Sequence, residues 1–190
     1  MDALLTAMIG CLLGEVGDKG QMLVLALATR FRGQGGLIAG IALAIVANVV
    51  IAAWAGAFIG PMLGSSARLL FLALAVLFLG IGMLWPVKLP DLLATWSTGP
   101  FLTAALGLFI LGFGDGSQFL ILGIATRTGD PAMAALGGAI GMAAALVPVV
   151  LLRERLRALP LRAIRLGSGI IMLLVGLMVG VSALGLTAGG

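Results

Sequence analysis

Glu15, Asp18 and Lys19 stand in the middle of a segment that is otherwise almost continuously apolar, with residues 3–13 on one side and 22–28 on the other. A run of this length spans a bilayer. An ionisable side chain at the centre of a spanning helix costs roughly 2.5–3.5 kcal/mol on insertion scales, so three in one block need partners or a purpose. The block reads Gly14-Glu15-Val16-Gly17-Asp18-Lys19-Gly20-Gln21. A transport site is the default reading of such a feature. The block also recurs. Gly114-Asp115-Gly116-Ser117-Gln118 lies 97 residues later, and the same offset carries Ala28-Thr29-Arg30 onto Ala125-Thr126-Arg127. Two blocks in one register, each with a mid-segment acid and a terminal Arg, mark an internal duplication.

Composition decides the surroundings. Of 190 residues 62% are hydrophobic and 9% charged, whereas a soluble domain carries about 25% charged residues. So few charges cannot cover the surface of a soluble helical bundle, and the chain reads as an all-α, polytopic membrane protein. The net charge of +4 comes from basic residues concentrated in short connections between apolar runs. There they set topology, and nucleic-acid binding is not indicated. Histidine is absent and Cys11 is the single cysteine. Disulfides and imidazole or thiolate metal sites are thereby excluded within one chain, leaving oxygen ligands and making zinc and copper poor candidates. With no Ser/His or Cys/His pair, no two-His motif and no nucleotide-binding loop, the chain is not expected to be an enzyme, and no tightly bound cofactor is expected. The first segment lacks a basic n-region and reads as a retained helix rather than a signal peptide.

Six spans are expected, near residues 3–29, 37–59, 68–85, 100–125, 132–152 and 164–186. Gly14, Gly17 and Gly20 bracket the charges of the first and predict a distorted or discontinuous helix, with Gly14, Gly17 and Gly114 as the breaking positions. The loops after the first, third and fifth spans hold Arg30, Arg32, Lys88, Arg153, Arg155, Arg157, Arg162 and Arg165, against Arg68 and Arg127 opposite. The basic side is expected to be cytoplasmic and both termini periplasmic or extracellular. Residues 1–86 and 100–190 then form two three-helix repeats joined by a cytoplasmic linker, residues 87–99. An odd span number per repeat inverts one against the other, the architecture of secondary transporters that bind substrate near the midplane.

On a continuous helix Glu15, Asp18 and Gln21 share one face, and Asp115 with Gln118 makes the matching face. Brought together, three carboxylates and two carboxamides form a hard-oxygen set suited to Mn2+, Ca2+ or Mg2+. Lys19 points away and neutralises a carboxylate. The bland alternative is a buried network that only ties helices together, for which a surplus of negative charge is poor glue. Asn48 reads as an interhelical hydrogen-bonding residue or a modulator of the site. Ser117 and Thr126 read as packing or backbone-bonding groups, with Ser117 also a possible modulator, and Cys11 as packing.

Residues 15 to 21 resemble the Glu-x-Gly-Asp-Lys/Arg-Thr/Ser-Gln signature of the GDT-type cation/proton exchangers. The likeness covers nearly the whole chain, with one signature per half. It implies export of Mn2+ or Ca2+ from the cytoplasm in exchange for protons, with the signature acids binding the ion, in a bacterial inner (plasma) membrane. Gly20 stands where the family has Thr or Ser, Gly112 where the second signature has Glu, and Gly116 where it has Lys or Arg. The family pattern sums to a net −2, and Glu15, Asp18, Asp115 and Lys19 also sum to −2. The partners expected are a divalent cation, protons and the lipid bilayer, and a homo-oligomer is compatible with the sequence. Two other readings stand beside this one: an exporter of another small solute, similar to the LysE superfamily, or a non-transporting membrane subunit.

Overall fold

The structure is a computed structural model and describes residues 1–86, 91, 93, 95–153 and 160–185. Lys88, Arg155 and Arg157, which enter the topology argument, lie outside the described residues. The described chain is helical: α1 (Asp2–Glu15), α2 (Lys19–Arg30), α3 (Gln34–Ile59), α4 (Ser65–Leu84), α5 (Pro100–Gly112), α6 (Gly116–Thr128), α7 (Pro131–Leu152) and α8 (Leu161–Ala183), with a short 3-10 turn at Gly60–Met62. The helices α3 (with that turn), α4, α7 and α8 are each long and apolar enough to cross a membrane, and α5 with α6 makes a further crossing bent by 66°. The α1–α2 pair differs in carrying three ionisable side chains at its break, where α5–α6 carries Asp115 alone.

The protein is therefore an all-α, polytopic membrane protein in which two of the expected spans are broken. Both breaks share one device. Gly17 and Gly114, 97 positions apart, adopt φ of +75° and +76°, the left-handed region that side chains resist. Gly14, expected at the break, instead lies in the last turn of α1. Its missing side chain leaves room for Ser117 Oγ and Leu79, which a Cβ there would meet at 3.1 and 3.2 Å.

Helix packing repeats at the same offset. The helix α3 crosses α5 where Gly40 lies against the Phe101 carbonyl, and α7 crosses α1 where Gly137 lies against the Leu4 carbonyl, in each case too close for a Cβ. Lipid supplies no hydrophobic drive between helices, so such small-residue crossings let backbones approach and gain dispersion contacts. Large apolar side chains instead face outward, among them Trp54, Phe58, Phe78, Ile110, Phe113 and Met178. In water that surface would be an aggregation hazard. Against acyl chains it is the ordinary exterior.

Candidate ion site at the paired helix breaks

Each break ends one helix and starts another, which exposes the final carbonyls of α1 and α5 and the first N–H groups of α2 and α6. Glu15 is the last residue of α1, while Asp18 and Asp115 are the N-cap residues of α2 and α6. Neither aspartate accepts a hydrogen bond from its own helix, so both carboxylates remain available to other partners. The expected single helical face of Glu15, Asp18 and Gln21 is not what joins them, because the chain turns between residues 15 and 19. Instead, the break itself brings Glu15 and Asp18 to one cavity.

That cavity measures about 20 Å3 and is lined by Glu15, Asp18, Lys19, Asn48, Asp115, Met142 and their neighbours. A space of this size holds about one water, or one bare ion. A smaller recess of about 10 Å3 shares Glu15, Asn48 and Asp115 and adds Ser117 and Gln118. Carboxylates from both halves of the chain thus meet at one place, with the Lys19 ammonium and the Asn48 amide beside them. Lys19 Nζ lies 3.3 Å from Asp115 Oδ1, across the two breaks, and Ser117 Oγ is buried with no hydrogen-bond partner among the described residues. No three acidic or thiol side chains among the described residues are close enough together to hold a metal ion in this arrangement. Lys19 holds Asp115 and Arg165 holds Asp18.

Each glutamine bonds the glycine of its own break. Gln21 Oε1 accepts from Gly17 N at 2.9 Å and Nε2 donates to the Ala145 carbonyl at 3.1 Å. Gln118 repeats this, with Oε1 accepting from Gly114 N at 2.6 Å and Nε2 donating to Asn48 Oδ1 at 3.2 Å. The Gly17 and Gly114 N–H groups have no backbone acceptor among the described residues, and an amide left unpaired away from water is costly. Each glutamine supplies the acceptor and ties its break to the neighbouring helix, α7 or α3. Gln118 still lines the smaller recess, whereas Gln21 does not reach the carboxylate cavity and lines a separate one of about 410 Å3. Asn48 bonds Gln118 and lines the cavity. Thr126 bonds the Gly56 and Leu122 carbonyls, and Cys11 is buried with its Sγ 4.0 Å from the Ser117 carbonyl.

One residue that bonds the acidic cluster lies outside the expected set. Arg165, assigned from sequence to a loop, is buried in the second turn of α8 with Nη2 3.3 Å from Asp18 Oδ1. The signal for it was present in the repeat: Arg165 follows Arg68 by the same 97 residues that separate Asp115 from Asp18. Without Arg165 the basic loop bias is seven against two, and its sign is unchanged.

Broken helices that turn carboxylates and free helix ends toward a cavity inside a multi-pass bundle define a secondary transporter of small ions. The family model described as "Divalent cation/proton antiporter GDT1" matches residues 3–90 and 100–186. The chain belongs to this divalent cation/proton antiporter family, a family of transporters and not of enzymes. It is also 33% identical, over 141 residues, to a Vibrio cholerae protein named "Putative manganese exporter", an alignment covering 74% of this chain and 70% of that protein. No solved structure matches the chain.

Proposed function

We propose that the protein exports Mn2+, with Ca2+ as the second candidate, from the cytoplasm in exchange for protons, and that Glu15, Asp18 and Asp115 bind the ion. The observation that carries this reading is the meeting of carboxylates from two separate helix breaks at one ion-sized cavity. Asn48, Gln118 and the unpartnered Ser117 hydroxyl offer further oxygens there. Manganese is favoured by the name of the Vibrio cholerae relative and by a lining that holds no imidazole. Protons and the ion compete for the same carboxylate oxygens, since an oxygen that binds a metal must first be deprotonated. Loading the ion therefore releases protons, and reprotonation displaces the ion. Exchange follows from that competition when access alternates between the two sides.

The architecture belonging to this reading counts α1–α2 as a sixth, broken span and relates residues 1–86 to 100–190 as inverted repeats, linked by 87–99. Support comes from the matched breaks at Gly17 and Gly114 and the matched crossings at Gly40 and Gly137. In a bacterial plasma membrane the basic bias puts both termini outside. Exposed Arg32 and Arg127 then face opposite sides. In intact cells an impermeant thiol reagent should label Arg127→Cys and spare Arg32→Cys. The reverse pattern would overturn the orientation.

The function itself is tested in proteoliposomes with an imposed pH gradient and a panel of ions. Mn2+ or Ca2+ should move against the proton gradient while Zn2+ and Cu2+ move at least about tenfold more slowly, as expected of a hard-oxygen site. Movement of labelled amino acids with no metal flux would favour an exporter of another solute. Neither flux nor ion binding would favour a non-transporting subunit.

A further inference from the structure

Arg165 is held by more than Asp18. Its Nη1 donates to the Trp85 carbonyl at 2.7 Å and Nη2 to the Gly82 carbonyl at 2.8 Å, at the C-terminal end of α4, and its buried Nε has no partner among the described residues. Helix ends of this sign attract cations. The guanidinium is thus clamped between the end of α4 and the break after α1. Asp18 lines the ion cavity. Arg165 lines the cavity of about 410 Å3, with Gln21, Trp85 and Arg162. The ion pair therefore joins a lining residue of one cavity to a lining residue of the other. The larger cavity sits at the end of α4 and the start of α8, the ends that border the basic connections.

Charge counting gives the pair a role in transport. Glu15, Asp18, Asp115 and Lys19 sum to −2, the complement of a divalent ion, but with Arg165 in contact the same cluster sums to −1. The repeat counterpart behaves differently. Arg68 donates to the Leu63 carbonyl and bonds no acidic group among the described residues, while Asp115, the counterpart of Asp18, is held by Lys19. The two halves therefore hold their aspartates by unlike cations, and only the one at Asp18 also lines a second cavity.

We propose that Arg165, which lines the larger vestibule, is the resident counter-cation of Asp18, and that the transported divalent ion must displace it to bind. Arg165 is thus a positioning residue whose withdrawal restores the −2 balance. The proposal rests on the ion-site reading above.

The test uses the full-length purified protein. Arg165→Gln removes the competitor and should tighten the Mn2+ Kd about tenfold while lowering the maximal flux in proteoliposomes. Arg165→Lys keeps the charge but loses the fork that reaches Trp85, Gly82 and Asp18, and should give a Kd between those of wild type and Arg165→Gln. A merely structural role predicts weakened binding and weakened flux together. Should Arg165→Gln fail to fold, protein retaining Arg165 answers the same question. Arg162→Cys, placed in the vestibule in a Cys11→Ala background, should change its thiol-labelling rate at least about threefold on saturation with Mn2+ as Arg165 moves. Unchanged Kd in folded Arg165→Gln, or unchanged labelling at position 162, overturns this proposal while wild-type binding stands. Absence of ion binding by the unaltered protein overturns both readings.

Discussion

Asp115→Asn should cut divalent-cation flux at least about tenfold, the equivalent of about 1.4 kcal/mol of binding at the site. Asp115 is the sole acid that the second break contributes, and it lies 3.3 Å from Lys19 of the first. Neutralising it removes one of three carboxylates at the ion cavity and leaves Lys19 facing the site without its partner. The remaining negative charge no longer compensates a dehydrated divalent ion. Asp18→Asn should fail in the same way, since it strands Arg165. Lys19→Gly should behave oppositely at equilibrium. It frees Asp115, so ion affinity rises while release, and hence turnover, slows. Kd by calorimetry and flux in proteoliposomes separate the two effects, with a thermal melt to show that each variant is folded. Wild-type flux from Asp115→Asn would mean that α6 contributes no ligand and that a site built from both breaks is wrong.

Restoring the family residues of the second signature should not have the simple additive effect that charge counting predicts. By charge alone Gly112→Glu raises ion affinity and Gly116→Lys partly reverses it. Both glycines are, however, already filled by neighbours. A Cβ at residue 112 would stand 2.9 Å from Asn48 Nδ2, and one at residue 116 would stand 2.7 Å from Leu79 Cδ1 and 3.3 Å from Leu79 Cα. Overpacking of this kind costs about 1–3 kcal/mol. At residue 116 the obstacle includes α4 backbone, so Gly116→Lys should lower the melting temperature and flux together. At residue 112 the obstacle is a side-chain amide, so Gly112→Glu combined with Asn48→Ala should recover stability and bind Mn2+ more tightly than wild type. Equal melting temperatures for Gly116→Lys and wild type would show that α4 yields freely, and the packing argument would fail.

The same contacts explain why the second signature departs from the family pattern. Asn48 occupies the space beside Gly112 and bonds Gln118, so an amide stands beside the position where the pattern has a carboxylate. Leu79 occupies the space beside Gly116, where the pattern has a base. At both positions a side chain from another helix takes up the room that the acid or the base would need. Gly20 follows a similar logic, since a Cβ there would come within 3.0 Å of Glu15 Oε2.

The sequence by itself determined the membrane class, the duplication at an offset of 97 and the acidic residues at the centre of each half. These are properties of local composition: apolar runs must lie in lipid, and ionisable groups within them must be matched. It also showed glycines able to break α1 from α2, because a missing side chain is visible without knowledge of neighbours. Tertiary structure alone decided which side chains face which. Gln21 and Gln118 read as ligands by residue type, and that each also accepts the N–H of the glycine at its own break is visible only once the chain has turned. Arg165 read as a loop charge by position, yet α8 carries it to Asp18, 147 residues away in sequence. Long-range pairing of this kind leaves no periodicity in the chain, because the cost of burying each charge is met by a partner that only the packed bundle supplies.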